Sequence, residues 1–188
     1  MFVLRRRSPF ELDALLDLAV REDPSYPEVG ATGSAVLPLG YRHDRHHRRL
    51  GDSQVFDRAS TGLRHWVAHE RAGIHIFPRD QPVSLGATIL VVISLGPTQM
   101  VAPCRIVRFI DEFDKFGFAF GSLPGHPERG EEAFLVERRA DGTFFNVIAF
   151  SRSADPLVRL AGPVGRAIQL TIIRRCVSAL ARYVQSSV

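Results

Sequence analysis

Six consecutive strand-like segments, followed by one long helical pattern, limit what this 188-residue chain can fold into more than any other feature. Short turns separate the segments, and Asp141-Gly142 between the last two is a strong hairpin signal. The pattern therefore predicts a six-stranded antiparallel meander. Its strands are expected at residues 74–77, 87–94, 100–110, 116–120, 132–138 and 144–151.

Helical periodicity lies on both sides of the meander. After Gly162-Pro163 a spacing of four predicts a long helix towards Tyr183, with outward arginines at 166, 174 and 182. The residues expected to face the sheet are Val164, Ile168, Ile172, Cys176, Leu180 and Val184. Before the meander, residues 54–71 predict one helix with Trp66 as a packing residue. The apolar stripe of that helix is Phe56, Ala59, Leu63, Trp66 and Val67.

An additional helix is expected near the beginning of the chain. Ser8-Pro9-Phe10-Glu11 is a capping box with proline at the first helical position, and the helix should run to about Arg21. The stripe expected to face a core is Phe10, Ala14, Leu15 and Leu18. An early strand at 41–49 has no apolar face, which is typical of an edge or rim strand, or of one that lines a polar cavity.

This order of elements is that of an α+β helix-grip fold. The fold is shared by START-type lipid carriers, the birch-pollen-allergen (Bet v 1-like) group and aromatic polyketide cyclases. A curved antiparallel sheet cannot close around one long helix without leaving space, and that space is usually a ligand cavity. A closed barrel of lipocalin type is the alternative, and the two long helices fit it poorly.

Composition predicts one domain, 1–188, in a soluble cytoplasmic protein. Apolar residues make up 45% of the chain, which suffices for a core, and Cys104 and Cys176 lack paired spacing, as expected of reduced core thiols. The N-terminal residues lack the apolar stretch of a secretory signal. The longest apolar run, 87–95, is about half of the ~20 residues that span a bilayer. The net charge is +4, the chain has one lysine, and its basic residues form no long tract. No nucleic-acid partner is therefore expected. The oligomeric state stays open.

Several motifs resemble one family throughout nearly the whole chain. They are GSLPGHPERGEEAF at 121–134, YPEVGAT at 26–32, GYRHDRHHRRLG at 40–51 and AFSR at 149–152. The chain resembles the bacterial and plant family known as domain of unknown function nineteen-ninety, whose usual form of the first motif is close to GTLPGHPESGEERF. The resemblance implies an architecture rather than an activity. The sequence departs from the family pattern at Ser53, Ser122 and Ser153.

The 121–134 turn holds the catalytic candidates. Glu131 and Glu132 open a strand on opposite faces, so one carboxylate points inward if the strand lines a cavity. An inward Glu132 near His126 is a minimal acid–base pair, because burial raises a carboxyl pKa and imidazole titrates near neutrality. Alternatively, a glutamate caps the turn by accepting backbone N–H groups, with Arg152 or Arg105 as its ion partner.

The ligand-binding candidates are Asn146, Arg152, Arg105 and Tyr41. Asn146 shares its strand face with Phe144 and Phe150, so its amide needs partners if that face is interior. Arg152 directly follows, where a guanidinium is suited to hold a carboxylate. We expect Glu132, His126, Asn146 and Arg152 to converge near one end of the cavity.

The histidines do not predict a metal site. His65 and His69 are four residues apart, but the helical pattern places both on the polar face opposite Trp66. The remaining candidates, His43, His46 and His47, alternate with arginines that repel a divalent cation. That basic strand suits an anion or a solvated edge better. No nucleotide-binding or nucleophile motif occurs, so no cofactor is expected.

Two classes of function fit these observations. The first is a protein with an internal cavity that binds a small hydrophobic or aromatic molecule bearing a carbonyl or carboxylate. The second is a cofactor-free cyclase, dehydratase or isomerase on the same scaffold, in which one acid or base moves a proton. A weaker alternative is an interaction module that uses the basic edge at 42–49 on an anionic surface.

Overall fold

The computed structural model describes residues 2–3, 6–96, 98–154 and 162–186. The strands are β1 (Phe2–Val3), β2 (Arg42–Gly51), β3 (Ile74–Phe77), β4 (Thr88–Leu95), β5 (Thr98–Asp111), β6 (Lys115–Ser122), β7 (Glu128–Arg139) and β8 (Gly142–Ser153). The helices are α1 (Pro9–Ala19), α2 (Phe56–Arg64), α3 (Val67–Glu70) and α4 (Gly162–Gln185), with short 3-10 turns at Ala31–Gly33 and Ser53–Val55.

The strands form an antiparallel sheet in the order β2-β8-β7-β6-β5-β4-β3, with β1 beside the beginning of β5. All six meander strands are therefore confirmed, and the early strand is an edge strand. Its partner is β8, the last strand, with His46 opposite Val147. In the described residues the path ends at β2 and β3 without closing, so the sheet is a curled half-barrel and the closed-barrel alternative is wrong.

The concave face of the sheet packs on α2 and α4. Phe118, Phe134 and Phe145 are at most 2% exposed and belong to one core with Leu63 of α2 and Leu180 of α4. Burial of side chains of this size stabilises a fold by roughly 1.5–3 kcal/mol each. The expected grip of the sheet on the C-terminal helix is confirmed, as are the outward positions of Arg174 and Arg182. The side chain of Val164 lies outside the described part.

The predicted helix over 54–71 is two helices with a break at Trp66. This residue has a left-handed backbone, with φ of 58°, between the end of α2 and the beginning of α3. Its indole is buried, donates from Nε1 to the Gln81 carbonyl at 2.7 Å, and lies edge-on to Phe118. Trp66 is thus a packing residue, as expected. The break resets the helical phase, so the wheel that fits α2 does not apply to α3.

Helix α1 begins at the predicted capping box, in which Ser8 and Glu11 bond each other's backbone N–H groups. It packs on the convex face of β4 and β5 through Leu12, Leu15, Leu16 and Ala19. The predicted stripe is wrong in part, because Phe10 is 81% and Leu18 63% exposed. This helix is apolar on two faces, so periodicity alone could not tell which one meets the sheet.

The YPEVGAT loop crosses the convex face and is held by one buried carboxylate. Glu131 of β7 accepts hydrogen bonds from the hydroxyl of Tyr26 at 2.8 Å, from the N–H of Gly30 at 2.7 Å and from both the N–H and hydroxyl of Thr32. Gly121 makes this approach possible, since a Cβ there would lie 2.1 Å from the Tyr26 oxygen. Two of the sequence motifs therefore pack directly on each other.

We expect Glu131→Gln to lower the free energy of unfolding by about 1–3 kcal/mol, because either orientation of the amide turns its NH2 group towards a backbone N–H donor, of Gly30 or of Thr32. Denaturant unfolding measures the change. Glu112→Gln, at an exposed carboxylate in the β5–β6 turn, is the matched control and should be nearly neutral. Equal stabilities of the two variants would contradict the anchoring role.

Candidate functional site

A cavity of about 160 Å³ lies between the concave face of the sheet and α4. Most of its wall is apolar. The apolar lining residues are Ile74, Val91, Ile93, Met100, Ala102, Phe120, Pro127, Phe134, Ile168, Ile172, Ile173 and Cys176. The polar lining residues are His69, His126, Glu128, Glu132 and Gln169. Phe120 and Phe134 line this space, while Phe118 and Phe145 are packed in the core.

Glu132 projects into the cavity because β7 alternates faces and Glu131 occupies the other one. Its carboxyl makes no hydrogen bond to a described residue. Burial first, and then the negative charges of Glu128 and Asp44, together raise its pKa to about 8. The Asp44 charge acts across the sheet, since Asp44, Ala149 and Glu132 share one cross-strand row. Glu132 therefore keeps a proton at neutral pH.

His126 lies in the turn before β7, with its ring fixed by the backbone of Glu128. Its Nδ1 lies 2.9 Å from the Glu128 nitrogen and 2.7 Å from the Glu128 oxygen. Burial lowers the pKa of the ring to about 4. The other nitrogen, Nε2, has no hydrogen-bond partner in the described part of the chain. The two predicted catalytic candidates thus both border the cavity.

His69 is a third polar group in the wall, and its predicted exposure is wrong. The side chain is 1% exposed, and neither ring nitrogen has a hydrogen-bond partner among the described residues. The ring lies edge-on to Phe134 at a centroid distance of 4.6 Å and to Trp66 at 5.1 Å. Burial lowers its pKa to about 3. A helical wheel that starts at the inward-facing Trp66 places His69, three residues later, on the inward side. A wheel that continues from the α2 stripe does not.

A polar network holds the first half of α4 over the sheet beside the cavity. Arg166 makes two hydrogen bonds to Asp44 of β2, which is 6% exposed, and a third to Gln169 at 3.1 Å. Gln169 donates to Glu128 at 2.8 Å, and Arg42 donates to the other Glu128 oxygen at 2.6 Å. The prediction that Arg166 points outward is therefore wrong. Hydrogen bonds from Arg166 lower the pKa of Asp44.

A second, polar void of about 60 Å³ adjoins the cavity at this network. The two spaces share Phe120, His126, Glu128, Glu132 and Gln169. Ser122 and Ser151 add hydroxyl groups to the smaller one. The site therefore has an apolar chamber with a polar end, and Glu132 stands where the two meet.

Asn146 does not lie at the cavity. Its amide donates to Glu137 at 2.9 Å, and its carbonyl lies 2.6 Å from Nδ1 of His47, on the convex face of the sheet. The inward face of β8 carries Phe145 and Val147 instead. Both faces of this strand are apolar, because the 26–41 loop covers the convex face. The alternation of side chains along the strand therefore could not show which face lines the cavity.

The other ligand-binding candidates also lie on the convex face. Arg152 stacks on the ring of Tyr41, whose hydroxyl donates to Glu28 at 2.6 Å. Arg105 donates to Thr88 and to the carbonyls of Ala19 and Val20 at the end of α1. The expected convergence therefore holds for Glu132 and His126 and fails for Asn146 and Arg152. The alternative that a glutamate caps the 121–134 turn is also wrong in its location. Glu131 accepts from backbone N–H groups, but these belong to the 26–32 loop.

Part of the basic edge strand is used within the fold. Besides the pair of Arg42 with Glu128, Arg49 donates to the Asp141 carbonyl at 3.1 Å. In the residues that the structure describes, no group of three or more His, Cys, Asp or Glu side chains is arranged to hold a metal ion. Within the same residues, no helix combines the length and apolarity needed to cross a membrane.

Sequence comparisons match this chain along most of its length. The family model described as Domain of unknown function (DUF1990) covers residues 25–179. A UPF0548 protein of Deinococcus radiodurans is 33% identical over 186 residues, which cover 90% of this chain and 91% of that protein. A UPF0548 protein of Dictyostelium discoideum is 23% identical over 192 residues, covering 90% and 89%.

Solved structures share the fold at low identity. The hypothetical protein jhp0584 from Helicobacter pylori has a TM-score of 0.54 and 15% identity, covering 86% of this chain and 95% of that one. Ara h 8.0201 has a TM-score of 0.50 and 12% identity, covering 79% and 100%. Together with the curled sheet and α4, this likeness shows a helix-grip architecture of Bet v 1-like type.

We expect the Glu132 carboxyl in the cavity wall to make the protein less stable as pH rises from about 4.5 to 8. Over that range the unfolded chain releases a proton that folded Glu132 retains. Glu132→Gln removes this term, so the variant should gain stability over wild type at up to roughly 1.4 kcal/mol per pH unit. Denaturant unfolding at pH 5, 6.5 and 8 measures the gain, and the titration of His69 and His126 cancels in the difference.

The control for this comparison is Glu137→Gln. Glu137 lies on the same strand but on the convex face, where Arg139 and Asn146 bond it. Its difference from wild type should lack the rising trend. A Glu132→Gln difference that stays constant between pH 5 and 8 would show that Glu132 is ionised in the folded protein.

Proposed function

We propose that this chain, which belongs to the family described as Domain of unknown function (DUF1990), binds a small, largely apolar molecule in the cavity beneath α4. The helix-grip neighbours support a ligand-binding scaffold. The observation that carries the proposal is the set of polar groups in the cavity wall. Glu132, His126 and His69 all border the space, and both ring nitrogens of the buried His69 lack a hydrogen-bond partner in the described residues.

Unpartnered polar groups favour an occupied cavity. Burying a polar group without a hydrogen bond costs about 1–3 kcal/mol, and the His69 ring is such a group in the wall of this space. In a wall that serves only packing, apolar side chains of similar shape would avoid that cost. A ligand with its own polar atoms supplies the missing partners.

The volume of the chamber sets the size of the ligand. A cavity of about 150 Å³ accommodates a benzene molecule, and this chamber of about 160 Å³ is similar. The described walls therefore suit one six-membered ring, with its polar substituent in the adjoining void of about 60 Å³. The phenyl groups of Phe120 and Phe134 supply flat apolar surface for such a ring.

The first test is ring binding. Toluene and benzyl alcohol should bind with Kd values of about 1 mM or tighter, roughly −4 kcal/mol, measured by ligand-observed NMR and calorimetry. Ile172→Phe, which places a phenyl group in the chamber, should weaken both at least tenfold. Thr171→Phe, at the exposed neighbouring position of α4, is the matched control. Undiminished binding by Ile172→Phe would place the ring elsewhere.

Proton transfer is the second candidate function, favoured by the position and pKa of Glu132. A carboxyl group with a pKa of about 8 in an apolar wall is suited to donate a proton to a ligand and to take one back. The described chamber suits a ring-sized substrate for such chemistry, as in a cofactor-free isomerase or dehydratase. A cyclase would need a substrate that folds within the same small space.

Deuterium exchange tests this candidate without knowledge of the natural substrate. In D₂O the wild type should accelerate exchange of the protons next to the carbonyl of cyclohexanone. Glu132→Gln should lose this acceleration by about 100-fold or more while its affinity for toluene is unchanged. Equal rates with the two proteins would leave the binding function and remove the catalytic one.

A further inference from the structure

We propose that the ligand is an amine on a ring-sized apolar body, bound with its nitrogen at Glu132. This inference rests on the proposed binding function and names the class of ligand. It follows from which charges border the cavity, from the position of Glu132 at the polar end, and from the charge balance of an occupied site.

Every ionisable group in the described wall is a carboxyl, an imidazole or a buried thiol. The wall contains Glu128 and Glu132, and it contains no lysine or arginine among the described lining residues. The guanidinium groups of Arg42 and Arg166, in the network beside the cavity, are already engaged by Glu128 and Asp44. The whole chain has a net charge of +4, whereas the side chains of its described cavity wall include two glutamates and no lysine or arginine.

The charge balance separates three kinds of ligand. A carboxylate would bring a negative charge next to Glu128, into an apolar space whose described wall holds no lysine or arginine, which is strongly unfavourable. A neutral ring leaves the site as it is. An amine forms a pair with Glu132 that is neutral as a whole, either as ammonium with carboxylate or as amine with carboxylic acid. The pair therefore adds no net charge to the cavity and gives the Glu132 carboxyl its missing partner.

The geometry fits a ring with its nitrogen at one end. Glu132 lies two residues from Phe134 on the same face of β7, a distance of about 7 Å along the strand, and opposite Phe120 of β6. A ring that lies against the two phenyl groups therefore brings a one-carbon side arm to the Glu132 carboxyl. The phenyl faces also attract a cation. The adjoining polar void gives room for the remaining N–H groups.

The ionisation of Glu132 makes the binding of an amine depend on pH. The titratable or charged groups around Glu132 come from β7 (Glu128), β2 (Asp44), the preceding turn (His126), α3 (His69), β5 (Cys104) and α4 (Cys176 and the paired Arg166). Burial lowers the pKa values of the two histidines and raises those of the two thiols, so all four groups are uncharged at neutral pH. Binding of an ammonium below pH 8 therefore releases one proton, from Glu132.

The test compares three probes that share one ring: benzylamine, benzyl alcohol and benzoate. Calorimetry at pH 8 should show benzylamine binding at least tenfold tighter than benzyl alcohol, and benzoate should not bind detectably. Because one proton is released, benzylamine should bind roughly 50-fold more weakly at pH 6 than at pH 8. Benzyl alcohol should bind equally at both pH values.

Two variants assign the preference to Glu132. Glu132→Gln should bind benzylamine no better than benzyl alcohol and should keep its affinity for benzyl alcohol. Glu137→Gln, the same change on the convex face of β7, should behave as wild type. Benzyl alcohol binding as well as benzylamine, or a benzylamine preference that survives Glu132→Gln, would overturn the amine inference alone. If none of the three probes binds, the proposed binding function itself is wrong.

Discussion

Two adjacent glutamates on β7 meet opposite conditions, and the rest of the site depends on that contrast. Glu131 is saturated with hydrogen bonds from the YPEVGAT loop, while Glu132 faces an apolar chamber without a partner in the described residues. A one-residue slip of β7 would turn each side chain to the opposite face of the sheet, so that Glu132 would leave the chamber. The loop thus fixes the register that keeps Glu132 inside, and its favourable contacts offset the cost of that burial.

The site combines an apolar chamber with polar groups contributed by separate elements. Glu132 comes from β7, His126 from the turn before it, and His69 from α3, so each requires a different part of the fold. The network of Asp44, Arg166, Gln169 and Glu128 fixes α4 against the sheet on the polar side. An occupant is thereby enclosed by sheet and helix and reaches its hydrogen-bonding partners at one end.

Sequence patterns predicted the elements far better than the faces that they present. The six meander strands follow from their period, and the inward direction of Glu132 follows from alternation once β7 lines a cavity. The side of β8 that holds Asn146 did not follow, because Phe144 and Phe150 outside are as apolar as Phe145 inside. His69 was missed because no residue type signals a left-handed tryptophan in the middle of a helical pattern. Asp44 and Arg166 meet across 122 residues, which no local pattern reveals.

The packing of Trp66 gives the molecule an optical property. Trp66 is the single tryptophan of the chain, and the His69 ring lies 5.1 Å from its indole and also borders the chamber. Only one aromatic ring therefore separates the fluorophore from any occupant that binds against His69. Indole emission responds to neighbouring charge and polarity, and the emission of this protein comes from one buried indole whose surroundings include the chamber wall. The protein thus contains its own fluorescent reporter of what the chamber holds, with no label added.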